Sequence, residues 1–432
     1  RSTLFPYTTL FRSPYSFYGY QWTTVDYEQH AVEADVQGEP FSTWAGPVSV
    51  AFGGGYREES AVQVSDDLSV EGAYVLGNPK PFSGKDKVHE FFVETVVPLA
   101  TEKPLAHHLE VTLAGRSTDY SSSGRVETWK AGLGYSPFDD QVRLRATRSR
   151  DIRAPSLDER FLGAQQFITT VIDPFTTPPS TATPWRINVG NPSVAPEIAD
   201  SVAAGIVFQP HALPGFSASF DYYDIEITDA LAQISPQRTV DDCFAGVESL
   251  CPLLHRDVNG LLIEVVQPFL NIASLNARGY DIETSYRRPV GAGDLALRAL
   301  ASRVLTFEES DGRTTTVSKG EINQPEWQGQ VQVIYDRRPF VISTTGQYYG
   351  GSRLSNVFTI SDPQGNDVNH IGSRWYFNLN MAFGLEPANF PRTEVYLNVK
   401  NVTDLDPPYA SNSASAFDTI GRMYKVGLRM EF

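Results

Sequence analysis

Apolar and polar residues alternate one for one at the end of this chain. Tyr424, Val426, Leu428, Met430 and Phe432 are apolar, with Lys425, Arg429 and Glu431 between them. Period two predicts a β-strand with one greasy face and one wet face. The stretch is about as long as a tilted strand needs to cross a bilayer. A soluble sandwich would leave such a strand as a sticky edge. A membrane barrel places it in the wall.

The same alternation recurs along the chain. Val32, Ala34 and Val36 alternate with Glu33, Asp35 and Gln37, and Val48, Val50 and Phe52 return after a Gly/Pro-rich turn at Gly38 to Pro47. Glu58 to Lys87 is polar and aperiodic, and is expected to be a long loop. Glu90 and Glu94 then share a face opposite Phe91 and Val93. Further strands are predicted at Leu109 to Leu113, Trp129 to Tyr135, Val142 to Thr147, Val202 to Phe208 and Phe216 to Tyr222. Others follow at Tyr280 to Tyr286, Leu295 to Ala301, Trp327 to Tyr335, Phe340 to Tyr348, Trp375 to Phe383 and Val395 to Lys400. With the terminal strand this makes about fifteen, or sixteen if Tyr15 to Thr23 adds one. Aromatics at both ends of an apolar stripe, as in Trp129 to Tyr135, are the pattern of membrane girdles.

The connections sort by length. Tight turns such as Ser136 to Asp140 and Asp336 to Pro339 alternate with long loops, except for a short polar tip at Thr118 to Ser123. Two loops are expected to run to about 50 residues, Arg150 to Ala199 and Asp224 to Leu275. The predicted fold is therefore all-β: an antiparallel transmembrane barrel with short turns on one side and long loops on the other. The terminal strand then runs towards the short-turn side.

Composition sharpens this picture. The chain has 432 residues, 12% of them aromatic, and a net charge of −16, which disfavours nucleic acid as a partner. No apolar run reaches the roughly 18 residues of a transmembrane helix, and a barrel needs none. The only cysteines, Cys243 and Cys251, lie eight positions apart in one predicted outer loop, and a disulfide is expected between them. Leu4 to Ser13 match the conceptual translation of a sequencing adapter, so residues 1–13 are set aside and 14–432 are read as one domain.

Candidate chemistry is sparse. There is no Walker-type phosphate loop, no GxSxG and no His-Glu-x-x-His zinc spacing, so no enzyme, cofactor or metal centre is expected. His107-His108 is the one histidine pair, and neighbouring strand residues point to opposite faces. Asp241-Asp242 and Asp257 are read as solvated loop charge rather than a calcium site. Arg116, Arg143 and Arg145 are candidate lumen residues. They either attract an anionic cargo or, the preferred reading, pair with carboxylates such as Glu110 and Glu127. Phe167, Phe175, Trp185 and Phe244, in the long loops, are candidate ligand contacts.

Several stretches resemble TonB-dependent outer-membrane receptors. Phe41 to Arg57 is similar to a hairpin of that family, with Ala45-Gly46-Pro47-Val48 and Gly55-Tyr56-Arg57-Glu58. Arg153-Ala154-Pro155-Ser156-Leu157-Asp158-Glu159 resembles its strand-to-loop signature, and Gly279-Tyr280-Asp281-Ile282-Glu283 the strand after its large loop. Asn398-Val399-Lys400-Asn401-Val402-Thr403-Asp404 and the run to Phe432 resemble its C-terminal signature. The resemblance implies active uptake of a bulky scarce nutrient: a ferric siderophore, cobalamin or an oligosaccharide. It also implies a Gram-negative outer membrane with its lipopolysaccharide and lipid. Energy would come from the inner-membrane TonB-ExbB-ExbD complex. Recognition of the terminal strand, Tyr424 to Phe432, would fall to the outer-membrane assembly machinery. A passive porin is the alternative. Family barrels have about 22 strands around an N-terminal plug. This chain is expected to supply the last 15–16, with plug, energy-coupling segment and first strands upstream.

Overall fold

Fifteen long strands follow one another in chain order in a single antiparallel sheet, each bonded to the next. They are β1 (Thr23–Thr43), β2 (Gly46–Ser65), β3 (Phe82–Lys103), β4 (Ala106–Tyr120), β5 (Gly124–Ser136), β6 (Val142–Arg153), β7 (Glu197–Phe208) and β8 (Phe216–Ala232). Then come β9 (Leu270–Val290), β10 (Gly293–Ser310), β11 (Trp327–Arg337), β12 (Phe340–Tyr349), β13 (Arg374–Leu385), β14 (Arg392–Lys400) and β15 (Met423–Glu431). A short sixteenth strand, Thr315–Val317, pairs with the end of β10. The computed structural model describes residues 20–358, 369–385, 392–408, 417 and 420–431. Among these, β1 and β15 are paired on one side only, so the wall is an open sector of a barrel.

Each of the fifteen predicted strands corresponds to one wall strand. Most of the possible sixteenth, Tyr15 to Thr23, lies outside the described residues, and its last residue, Thr23, opens β1. The strands run longer than the alternation suggested. Glu58 to Lys87 is not a loop throughout. β2 continues to Ser65 and β3 begins at Phe82, leaving 66–81 and its short helix Asp67–Glu71 between them. The turn expected over Gly38 to Pro47 is confined to Trp44 and Ala45, because a bulge between Gly38 and Phe41 lets the ladder continue to Thr43. The two largest loops shrink to 154–196 and 233–269. The extra wall is largely polar, with Val62 and Val64 too short an apolar run to mark a strand by hydropathy. Backbone pairing beyond the apolar band needs no greasy face, since water replaces lipid there.

Register fixes the two faces. Directly opposed residues in an antiparallel pair share a face. The line Val36, Phe52, Val93 and the line Leu428, Val395, Phe383 therefore lie outward. Phe220, Ile206 and Leu144 continue that face on the strands between. Apart from half-buried Val395, these side chains are exposed and apolar, the reverse of a soluble core. A band of this kind is what a wall in lipid presents.

Connections sort by end. Thr43 to Gly46, Lys103 to Ala106, Val290 to Gly293 and Arg337 to Phe340 are joined by tight turns at one end. At the other lie 66–81, 154–196, 233–269, 311–326, 350–373 and 401–422, with the tip 121–123 the one short exception.

Candidate functional site: the inner wall and the outer cap

Alternation places Arg116 on β4 and Arg143 and Arg145 on β6 on the inward face. Each meets a wall carboxylate. Arg116 Nη1 is 3.3 Å from Glu90 and its guanidinium lies 5.1 Å from the centre of the Phe92 ring. Arg143 Nη2 donates to Glu110 at 3.1 Å. Arg145 donates twice to Asp221, at 2.8 and 2.7 Å. Glycines make room for two of these pairs. A Cβ on Gly134 would sit 2.9 Å from Glu110 Oε1, and one on Gly205 would sit 2.0 Å from Asp221 Oδ1. Glu127 is not an inward partner. It stands opposite Ser117, one position off Arg116 and so on the outer face, and Glu90 takes the role. The guanidiniums stay about half exposed, and pairs of that kind contribute roughly 0–1 kcal/mol each. Their effect is to leave the inner wall polar but locally neutral.

The stretch after β6 anchors the loops to the wall. Arg153 Nε donates to Glu197 at 2.7 Å, and its Nη atoms donate to Glu159 at 2.9 and 3.0 Å. Ser156 and Glu159 form a reciprocal capping box on the helix Leu157–Phe161, with Pro155 holding the approach extended. Arg160 is 1% exposed and donates to the carbonyls of Ser122 and Val194, tying the short tip to the long loop.

The loops 154–196 and 233–269 fold together into one cap. Its four-stranded sheet runs Leu254–Arg256, Leu262–Pro268, Trp185–Val189, Gln165–Ile168, so each loop supplies half. Val171, Ala182, Val240, Leu262 and Val265 form a small core beneath it. Asp173, 1% exposed, accepts from Arg256 at 2.6 and 2.9 Å. The Arg256 guanidinium holds the Asp173 carboxyl below its usual range. The helix Pro236–Phe244 starts on a Ser235 cap, and Cys243, near its end, is joined to Cys251 by a disulfide. Arg238 bonds Asp311, and Arg313 pairs with Asp242, which pins this helix to the next outer loop. Asp257 closes its own turn by accepting from Asn259 and Leu261, and Asp241 accepts from Gln237. No group of three metal-ligating side chains occurs among the described residues.

All four candidate contact aromatics fall in this cap. Phe175 and Phe244 meet edge to face with ring centres 5.1 Å apart. Phe167 and Trp185 lie on adjacent strands but on opposite faces, since Trp185 stands opposite Ile168 and Arg186 opposite Phe167. Arg186 and Arg256 lie over Phe167 and Phe175, at 4.6 and 4.7 Å from the ring centres. Neither arginine was singled out from sequence; Arg186 beside Trp185 was the available signal. On β15, Tyr424, Val426, Leu428 and Met430 are exposed on the outward face. Phe432 lies outside the described residues.

Comparison with known proteins fixes the class. Residues 1–402 match the family model described as TonB dependent receptor-like, beta-barrel. The chain belongs to the TonB-dependent receptor family, in its barrel part. Among solved structures it is similar to the siderophore receptor PirA from Acinetobacter baumannii, at 14% identity and a TM-score of 0.64, with 95% of this chain and 55% of that one covered. A variant of the ferric enterobactin receptor PfeA from Pseudomonas aeruginosa gives 14% and 0.67, over 94% and 54%. The ferripyoverdine receptor of the outer membrane of the same organism, solved with ferripyoverdine, gives 13% and 0.55, over 89% and 46%. The chain thus spans about half the length of these structures. No curated protein matches it.

Proposed function

We propose that this chain forms wall and outer cap of an outer-membrane receptor that actively imports a ferric siderophore. Import is driven by the inner-membrane TonB-ExbB-ExbD complex. The observation that carries this reading is the asymmetry of the two ends. One end is bare turns; the other bears two long loops merged into a disulfide-tied cap with its own core. A passive pore has no use for a preorganised cap, whereas a receptor for a dilute ligand gains affinity from one. The similar structures are named as siderophore receptors, which favours that cargo over cobalamin or an oligosaccharide. Phe167, Phe175, Trp185 and Phe244 are proposed ligand contacts, with Arg186 offering positive charge to an anionic ferric chelate, while the charge of Arg256 is taken up by Asp173. Arg116, Arg143 and Arg145 line the path below and hold it polar. The assembly machinery takes the terminal strand, Tyr424 to Phe432, as its signal.

The test is uptake of labelled ferric siderophores by cells carrying the receptor. Collapse of the proton gradient should stop accumulation while leaving surface binding intact. Accumulation that continues unchanged would contradict active transport and favour a porin.

A further inference from the structure

One sector of the inner wall differs from its surroundings. The register line Asp221, Asp281, Ser302, Gln328, Tyr349 carries the inward face from β8 to β12. Gln328, Gln330 and Gln332 therefore point inward on β11, and Tyr349, Gln347 and Thr345 stand directly opposite them on β12. Between Arg374 at the outer end and Asp336 at the turn end, β11, β12 and β13 place no charged side chain on this face. The flanking wall does, and pairs its charges. Arg298 of β10 meets Glu283 at 2.8 Å, and Arg429 of β15 meets Glu394 at 3.4 Å.

The glutamines form a ladder whose amides are open. Among the described residues, the side chains of Gln328, Gln330, Gln332 and Gln347 make no hydrogen bond. Gln328 is exposed and the other three are half-buried. Gln328, Gln330, Gln347 and Ser302 line a cavity of about 280 Å³. The ladder starts at the outer mouth, since Gln328 is the second residue after loop 311–326. Asp311, at the start of that loop, is bonded by Arg238 of the cap helix, so the ladder leads on from the cap.

Its spacing selects a ligand. Alternate residues of a strand lie about 6.6 Å apart, and an extended peptide repeats at the same interval. Along one edge of such a peptide, every second residue presents its N–H and C=O side by side. A glutamine carboxamide, with an NH2 donor and a C=O acceptor, answers both at once. A sugar chain does not keep this interval. Nor do the inward aromatics offer a sugar a bare face, because Tyr349 and Tyr376 meet edge to face at 6.1 Å.

We propose that the inner face of β11 and β12 binds an extended, uncharged peptide segment, and that the imported ferric chelate carries this segment as an arm. Gln328, Gln330 and Gln332 pair with one edge of the arm, and Gln347 stands across from the middle rung. The absence of charge in this sector suits a neutral backbone and leaves the anionic metal end to the cap. The inference rests on the import reading above, which supplies a cargo that passes the mouth.

The assembled full-length receptor, in mild detergent, is titrated with a capped hexapeptide of alternating serine and glycine, and binding is read by saturation-transfer NMR. The fully N-methylated peptide, which has lost every backbone donor, and maltohexaose are the comparison probes. Wild type should bind the unmethylated peptide roughly tenfold more tightly than the methylated one. Gln330→Met with Gln332→Met should lower that affinity roughly tenfold, the loss of a few neutral hydrogen bonds. Gln328→Met, at the exposed outer rung, should lower it about threefold. Heat-modifiable migration reports whether each variant is an assembled barrel. Equal binding of the two peptides, binding of neither, tighter binding of maltohexaose, or unchanged affinity in the assembled variants would overturn the proposal. So would variants that change only the assembled yield, because the ladder would then be a contact within the receptor itself. Uptake of labelled ferric siderophores by the same cells judges the import reading separately. Failed uptake with peptide binding intact would strike the cargo assignment and leave the peptide site standing.

Discussion

Arg145 and Asp221 sit two strands apart and meet across Gly205. The register Arg145, Gly205, Asp221 is continuous through β6, β7 and β8, and both guanidinium–carboxylate bonds are under 3 Å. The glycine lets the pair form, because any Cβ there would overlap the carboxylate. Gly205→Val should therefore break the pair and strain the wall, at about 1–3 kcal/mol. Asp221→Ala should cost less, about 1 kcal/mol or below, since the arginine keeps access to water. Urea unfolding of the assembled barrel measures both, and equal losses would contradict this reading of Gly205.

The cap should loosen in acid. Asp173 is held below the usual carboxylate range by Arg256. A depressed folded pKa stabilises above the unfolded value, near 3.9, and that contribution is lost as pH falls through the lower folded value. Protection of the cap in hydrogen exchange should thus be flat from neutrality to about pH 4 and fall below it. Asp173→Asn should remove that step and cost about 2–3 kcal/mol at neutral pH. That is less than a fully buried pair, because Arg256 keeps partial access to solvent. A variant with the wild-type acid step would show that another group controls the cap.

How legible this was differs by level. Fifteen strands could be read because lipid on one side and water on the other force period two, as in Trp375 to Phe383. Extents could not: Ser60 to Ser65 and Phe82 to Lys87 extend the wall beyond the membrane, where nothing demands alternation. Parity already set Glu127 with Trp129 and away from Arg116, so that pairing was readable and missed. Gly205 and Asp221 were not readable as partners of Arg145, because three-strand register is a tertiary fact. The cap was hardest. Its sheet pairs Trp185–Val189 with Leu262–Pro268 in parallel, two short runs from separate loops with no local signal of each other.

The disulfide should matter locally. Cys243 and Cys251 close a short ring between the helix Pro236–Phe244 and the turn that follows. Cys243→Ser with Cys251→Ser should cost the cap roughly 2–3 kcal/mol and leave the wall intact. Protease nicking confined to 233–269 is the expected signature. Thiol labelling of unreduced protein should find no free cysteine, and two would contradict the bond.

Arg153 joins Glu159 and Glu197 where β6 leaves the wall, and Glu197 also accepts from the Leu231 amide. Arg153→Lys keeps the charge but loses the fork that spans two carboxylates. It should cost about 1–3 kcal/mol and raise exchange at 154–161 and 197 together. Rescue to wild-type protection by lysine would show that charge alone suffices.

The assignment of two faces governs everything above, and β15 tests it within adjacent residues. Leu428 is 64% exposed on the outward face opposite Val395, while Arg429 faces inward and pairs with Glu394 at 3.4 Å. Arg or Lys at a lipid-facing mid-membrane site costs about 2–4 kcal/mol. The decisive measurement is the yield of heat-modifiable, folded barrel in outer-membrane fractions. Leu428→Arg should deplete it strongly, and Arg429→Lys should leave it near wild type. Equal yields from the two variants would mean that Leu428 does not face lipid and that this wall does not span a membrane.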